Sequence, residues 1–253
     1  MTDGNERSTH EFRITTAMVL AAGLGTRMRP LTDTQPKPLI RVADKALIDY
    51  PLDLFERAGV ERAIVNVHYL ADMVESHVGA RARPEIIISD ERDQLMETGG
   101  GLKKAQPHFD GEAVFCTNTD AILIEGPGLD PCARLQLHWA PDDMDALLLL
   151  VPIAMTSGYD GAGDFERSDS GQISFRARDT APYVFTGLQI IKPSLLCDTP
   201  DAPFSTKILW DKALHAGRLY GVTHDGFWMH VGDPAGLALA EKRFLDIAKS
   251  PAS

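Results

Sequence analysis

Between Leu20 and Leu39 the chain reads LAAGLGTRMRPLTDTQPKPL. Gly23 and Gly25 follow a short apolar run, Thr26 sits beside them, and Arg27, Arg29 and Lys37 come next. Glycine leaves the backbone bare, so a ligand can lie against it and successive amide N–H groups can cradle phosphate oxygens. Pro36 and Pro38 restrict the backbone on both sides of Lys37 and present its ammonium from a stiff base. From Arg13 to Lys45 there are six cations and two acids, whereas the whole chain carries a net charge of -11. A positive island on an acidic protein suits a polyanionic small molecule. The acidic total argues against a nucleic-acid polymer as partner.

Two common glycine motifs do not fit. A P-loop needs Gly-Lys-Ser/Thr, and Gly25 is followed by Thr26 and Arg27. A dinucleotide fingerprint needs a third small residue where this chain has Met28, whose bulk would obstruct close helix–sheet packing.

The elements that must position these residues alternate. Short apolar strands are expected at 17–22, 63–67, 85–89 and 113–118, with helices at 46–59, 70–79 and 98–109 between them. That rhythm implies parallel strands joined by crossovers. An order 3-2-1-4 would set the first and fourth strands side by side, and ligands bind at such a reversal, outside the carboxyl ends of the strands. The loop at 23–29 and the segment Asn118, Thr119 and Asp120 would then face one crevice. Further on, a helix is expected at 129–140, a core strand at 145–153, a hairpin around SDSG, a strand at 184–191, a helix at 205–217, a strand at 227–231 and a helix at 234–250.

The fold class is therefore α/β: a Rossmann-like, mixed but mainly parallel sheet flanked by helices, in a single domain with an embedded substrate-facing subregion. Its 253 residues, 44% hydrophobic and 24% charged, suit one such domain. Residues 1–12 lack an apolar h-region and read as a loose, disordered tail rather than a signal peptide, so a cytoplasmic location is expected. The longest apolar run, Ala146 to Met155, is broken by Pro152 and is too short to span a membrane. Cys116, Cys132 and Cys197 form no CxxC pair, and Cys116 reads as a core residue. A monomer is the simplest expectation.

The full string G-x-G-T-R-M-x-P followed by P-K-P resembles the signature of the sugar-1-phosphate nucleotidylyltransferases, whose fold is glycosyltransferase-A-like. The resemblance extends through LMETGGGLKKA (95–105), FCTNTDAI (115–122), FTGLQII (185–191) and FWMHVGDP (227–234). The short chain and the ETGGG form are most similar to the uridylyltransferases of bacterial peptidoglycan recycling that act on N-acetylmuramate 1-phosphate. The resemblance implies transfer of a nucleotidyl group from a nucleoside triphosphate, UTP by subfamily, to a sugar 1-phosphate, releasing pyrophosphate. It implies a nucleotide site built from Ala22, Gly23, Gly25, Thr26, Arg27, Glu97, Thr98, Gly99 and Asn118. Arg27, Lys37 and Asp120 would be catalytic, with Arg27 on the β/γ-phosphates and Lys37 on the reacting phosphates. Lys37, Thr186 and Gly187 would serve the sugar phosphate. The family part at 13–154 would bind nucleotide, and 155–253 would hold the sugar and end in a helix.

The resemblance also implies a divalent metal, Mg²⁺, on Asp120. The second metal position, an aspartate in W-x-D-x-G, is His230 here, which admits Mn²⁺ because imidazole suits softer cations. Thr119 replaces the usual glycine before Asp120. These departures leave a catalytically silent nucleotide or sugar-phosphate sensor of the same fold as an alternative, and a nucleotide-sugar-dependent glycosyltransferase is a third. Glu97 reads either as a base contact or as a first-turn acid on a helix dipole. Arg167, Arg176 and Arg178 read either as cations for an acidic acceptor or as solvated surface charges.

Overall fold

The computed structural model describes residues 13–249, and the tail expected over 1–12 lies outside the described residues. β1 (Thr16–Leu20) is buried almost throughout and opens into the glycine loop, which winds through short helical turns at 26–28, 31–33 and 37–39. β2 (Arg41–Val42) and β3 (Lys45–Ala46) make a small hairpin before α1 (Asp49–Arg57). The helix starts later than expected because Ala46 pairs with Arg41 in that hairpin. It stops where expected: Gly59, at φ +73, donates to the Glu56 carbonyl while Val60 donates to that of Phe55.

β4 (Arg62–Val67), α2 (Ala71–Val78), β5 (Glu85–Asp90), α3 (Glu97–Ala105) and β6 (Val114–Asn118) complete the first half. β5, β4, β1 and β6 lie in that spatial order, all parallel, which is the expected 3-2-1-4 arrangement. β7 (Ala121–Ile124) and α4 (Pro131–His138) lead to β8 (Ala146–Pro152). After β9 (Thr156–Ser157), the SDSG turn joins β10 (Phe165–Arg167) to β11 (Ile173–Phe175) as expected. β12 (Tyr183–Ile191) runs antiparallel between β6 and β8, and makes the sheet mixed. α5 (Lys207–His215) precedes β13 (Leu219–Thr223), which pairs with β8 in parallel and lies outside the expected strands. β14 (Phe227–His230) and α6 (Pro234–Lys249) follow.

The main sheet is covered on both sides. Leu147 and Leu149 of β8 pack with Phe55, Phe115 and Leu135, whereas Ala146, Leu148 and Leu150 pack with Met18, Leu102 and Leu209. Alternate side chains of a strand point to opposite faces, so a continuous apolar run such as ALLLLV is what a strand buried on both faces requires. Cys116 is buried among these residues, as expected. A separate cluster joins Met28, Ile40, Val42 and Leu47 to Met229, Val231 and Ala240, and so clamps the signature loop to β14 and α6. Each such side chain contributes about 1.5–3 kcal/mol on full burial.

A second, three-stranded sheet runs β7–β14–β9. β7 begins shortly after β6 ends, and it pairs with β14 so that Ala121 faces His230. This short strand draws the far end of the chain to the mouth of β6.

Candidate active site

At the carboxyl ends of β1 and β6 a crevice of about 490 Å³ opens, within the usual range for a small-molecule site. Ala22, Gly23, Gly25, Thr26 and Arg27 line one side, and Glu97 and Thr98 line another. Lys37, Asn118, Thr119, Asp120 and Gly232 lie between them. Two segments far apart in sequence therefore face one cleft, because β1 and β6 are neighbours.

The two loop glycines differ in what they make room for. A Cβ at Gly23 would meet no atom within 4 Å, so its bare backbone faces open space. At Gly25, φ is +64 and a Cβ would stand 2.9 Å from the Lys37 Cβ, so this glycine lets the loop fold onto Lys37. The Gly25 carbonyl also accepts from the Thr32 hydroxyl at 2.8 Å. Pro36 and Pro38 are buried and the Pro38 carbonyl accepts the Ile48 N–H, so the base of Lys37 is fixed. Arg27 is exposed at the rim. Arg29 instead pairs with Asp33 on the surface.

Lys37 Nζ donates to Asp120 Oδ2 at 3.0 Å, and His230 Nε2 lies 3.6 Å from the same oxygen. Burial alone would raise the pKa of Asp120. The neighbouring His230 and the Lys37 charge outweigh it and hold the carboxyl well below the usual carboxylate range. His230 is held in turn. Its Nδ1 lies 3.3 Å from the Gly158 carbonyl while Nε2 faces the Asp120 carboxylate, so both ring nitrogens face acceptors. Its ring stacks on Trp228 at 5.6 Å, and Trp228 Nε1 donates to the Thr186 carbonyl at 2.9 Å. Asp233 caps α6 by accepting the Gly236 N–H at 2.8 Å.

The ETGGG segment has an origin that lies in its neighbours. A Cβ at Gly99 would lie 2.4 Å from the Phe204 ring, at Gly100 2.9 Å from the Ala202 carbonyl, and at Gly101 2.9 Å from Asn66 Nδ2. The N–H groups of Gly99 and Gly100 both donate to the Phe204 carbonyl. These three glycines permit close packing of α3 onto the 202–205 segment and the strand ends. Gly99 lies behind the crevice wall, and Glu97 and Thr98 form its surface. Glu97 adopts φ +60, a left-handed conformation uncommon for a residue with a side chain. The Thr98 hydroxyl accepts the Thr206 N–H at 2.9 Å.

The expected sugar-facing pair is set further back. Thr186 is fully buried and its hydroxyl donates to the Leu149 carbonyl at 2.9 Å. Gly187, at φ +97, lies at a bulge of β12, where a Cβ would approach Asn118 Nδ2 at 3.4 Å. Neither lines the crevice. Arg167 and Arg176 are engaged with backbone carbonyls of Gly221 and Asp179, and Arg178 is exposed. Among the polar residues of the crevice, Asn66 and Ser205 lie outside the expected set. Asn66 sits inside the apolar strand AIVNV, where the one polar residue is the available signal.

The nucleotidyl transferase family model matches residues 16–159. The chain belongs to the nucleotidyl transferase family. It is 47% identical to the N-acetylmuramate alpha-1-phosphate uridylyltransferase of Caulobacter vibrioides, over 91% of this chain and 97% of that protein. It is 30% identical to the Neisseria meningitidis protein of the same name, over 89% of this chain and 96% of the relative. A UDP-glucose pyrophosphorylase solved with UDP-glucose shares the fold, with a TM-score of 0.73 at 16% identity over 92% of this chain and 99% of that one. The family bears out the expected fold class and makes the chain an enzyme of the sugar-1-phosphate nucleotidylyltransferase type. It excludes the glycosyltransferase alternative. No helix among the described residues is long and apolar enough to cross a membrane.

Proposed function

We propose that this chain transfers the uridylyl group of UTP to N-acetylmuramate 1-phosphate, giving the UDP-sugar and pyrophosphate. The observation that carries the reading is similarity to the Caulobacter uridylyltransferase along nearly the full length of both chains. The crevice chemistry supports it. A phosphate oxygen of the sugar phosphate attacks the α-phosphorus of UTP, the α–β bridging P–O bond breaks, and pyrophosphate leaves with the electron pair. The nucleophile is already an anion, so the protein supplies positioning and charge rather than a general base.

In this reading Arg27, exposed on the rim, holds the β/γ-phosphates, and Lys37 holds the reacting phosphates. Ala22, Gly23, Glu97 and Thr98 face base and ribose from the two lips, with Gly25, Thr26 and Asn118 completing the nucleotide site. Gly99 and Thr186 act from behind the wall by keeping α3 and β12 close, and Gly187 sits beside Asn118. The 13–154 part binds the nucleotide and the 155–253 part the sugar. A reaction on UTP and a sugar phosphate suits the cytoplasm, where such substrates are made.

The donor set fits a divalent cation. Asp120 Oδ2 and His230 Nε2, 3.6 Å apart, would hold the cation, which would take the place of any proton between them. Among the described residues no cluster of three such side chains exists, so phosphate oxygens and water would complete the shell, as Mg²⁺ sites commonly do. A bound cation would neutralise phosphate oxygens. The imidazole favours Mn²⁺ beside Mg²⁺.

A panel of four nucleoside triphosphates against several sugar 1-phosphates, followed by pyrophosphate release, tests the proposal. Turnover is expected to peak with UTP and N-acetylmuramate 1-phosphate. A clear preference for another sugar or base overturns that assignment, and an inactive protein across the panel returns the silent-sensor reading.

A further inference from the structure

From the crevice floor downward runs a buried polar chain that joins its two lips. Glu91, directly after β5, is fully buried. Its Oε1 accepts from Asn66 Nδ2 at 2.8 Å, and its Oε2 accepts from the Met96 N–H at 3.0 Å. Asn66 is also buried, and its Oδ1 accepts the Ala21 N–H at 2.7 Å. The backbone of Glu91 is pinned as well, since its N–H donates to Val67 and its carbonyl accepts from His68 Nδ1 at 2.7 Å. Gly101 of α3 packs against both polar groups, with room for no Cβ.

Burying a carboxylate is costly unless its oxygens are hydrogen-bonded. Among the described residues no cation pairs with Glu91; its side-chain partners are two neutral N–H donors. One donor leads through Asn66 to Ala21 at the start of the glycine loop. The other is the amide directly before Glu97 and Thr98. We propose that Glu91, acting through Asn66, is a positioning residue that sets the gap between the two lips and thereby the choice of nucleobase. Ala22 and Gly23 on one lip and Thr98 on the other present backbone and short side chains to the crevice. The base is read by the width and register of that gap, which the Ala21–Asn66–Glu91–Met96 chain fixes. This rests on the uridylyl-transfer reading above, and Glu91 itself touches no substrate.

Donor and acceptor directions give the test. Glu91→Gln keeps the shape but offers one acceptor to two donors. Asn66→Asp keeps the acceptor for Ala21 but turns an acceptor toward Glu91. Combining Asn66→Asp with Glu91→Gln exchanges the roles. The new carboxylate at position 66 accepts from the Ala21 N–H and from the new amide at position 91. The oxygen of that amide accepts from the Met96 N–H, which closes the chain again. Calorimetric binding and steady-state kinetics would be measured for UTP and the other three nucleoside triphosphates, beside thermal melts.

Each single variant is expected to weaken UTP binding and to cut the selectivity for UTP by about tenfold or more, with kcat at saturating UTP within about threefold of wild type. The double variant is expected to recover selectivity to within about threefold, because coupled neighbours are not additive. Singles that melt earlier yet keep wild-type selectivity overturn the proposal, as does a folded double variant that stays unselective. If a single variant does not fold, the double variant still decides. If wild type prefers another nucleotide, the uridylyl reading fails separately, and the same comparison is made on the preferred one.

Discussion

Replacing Lys37 with Met isolates the charge at the centre of the site. The stem stays packed, since the Lys37 side chain is only 12% exposed, and the ammonium 3.0 Å from Asp120 is removed. At that distance, with an effective dielectric constant of about 20, the gross attraction is about 5.5 kcal/mol. Most of it is offset by desolvation and by solvent that still reaches Asp120, which is 25% exposed. The pair lies between an exposed one, worth about 0–1 kcal/mol, and a broken buried one, costing about 3–5 kcal/mol, so a loss of about 1–2 kcal/mol is expected. For a chain of this length that is a drop of roughly 2–8 °C in melting temperature. The effect on turnover is larger. Removing one group that stabilises developing transition-state charge costs about 2.7–4 kcal/mol, or about 10²–10³ in kcat. Pyrophosphate release at saturating UTP and sugar phosphate, paired with a thermal melt, measures both. A variant that folds and turns over within about fivefold of wild type would refute the placement of Lys37 on the reacting phosphates, because that loss is far below the cost of removing such a contact.

Gly100→Ala should cost about 1–3 kcal/mol by overpacking against the Ala202 carbonyl, and should weaken UTP binding as α3 shifts; an unchanged melt and unchanged calorimetric affinity would contradict the packing account. His230→Asp should keep activity and move the cation preference from Mn²⁺ toward Mg²⁺, as followed by Mn²⁺ titration with electron paramagnetic resonance; an unchanged ratio would remove His230 from the cation site. His224 is 1% exposed; its Nε2 pairs with the Ile124 carbonyl, its Nδ1 has no partner among the described residues, and burial lowers its pKa. The unfolded chain therefore binds this proton first: stability is complete above the ordinary histidine pKa of about 6.5 and falls as pH drops below it, toward the folded value. Melts from neutral to mildly acid pH should show that slope, and His224→Gln should flatten it.

The parallel half of the sheet is legible in the sequence because its signals are local. Each of β1, β4, β5 and β6 is a short apolar run followed by a polar turn and a helix, and right-handed crossovers leave few ways to arrange them. The same logic puts the glycine loop and Asp120 in one crevice. What escapes is set by distant neighbours. β7 is four residues long, directly follows Asp120 and lies outside the expected strands; pairing with β14 makes it a strand. β13 follows α5 with no periodicity of its own and is fixed by β8. The glycines of ETGGG look like a ligand's requirement, and packing against Phe204, Ala202 and Asn66 accounts for them. Thr186 reads as a surface for sugar, whereas alternation and a bulge turn its hydroxyl into the core. Asn66 and Glu91 escape because a polar residue in or after an apolar strand has no distinct pattern until its partner is known.

The placement of Asp120 brings these parts together. A carboxylate in a crevice meant for a triphosphate and a sugar phosphate would by itself repel both. Its pKa is held low, so it stays ionised through the working pH range and cannot relieve the repulsion by taking up a proton. The structure resolves this with geometry. Lys37 reaches Asp120 from the proline-framed loop of the first half, and His230 reaches it from the second half along β14. The β7–β14 pairing and the Val231 N–H on the Asp120 carbonyl at 2.8 Å fix that approach. The sequence distance between Asp120 and His230 is thus closed by backbone hydrogen bonds rather than by the two side chains. The Lys37 ammonium can then turn from the carboxylate toward phosphate oxygens while the frame stays in place, which is the preorganisation that charge stabilisation requires.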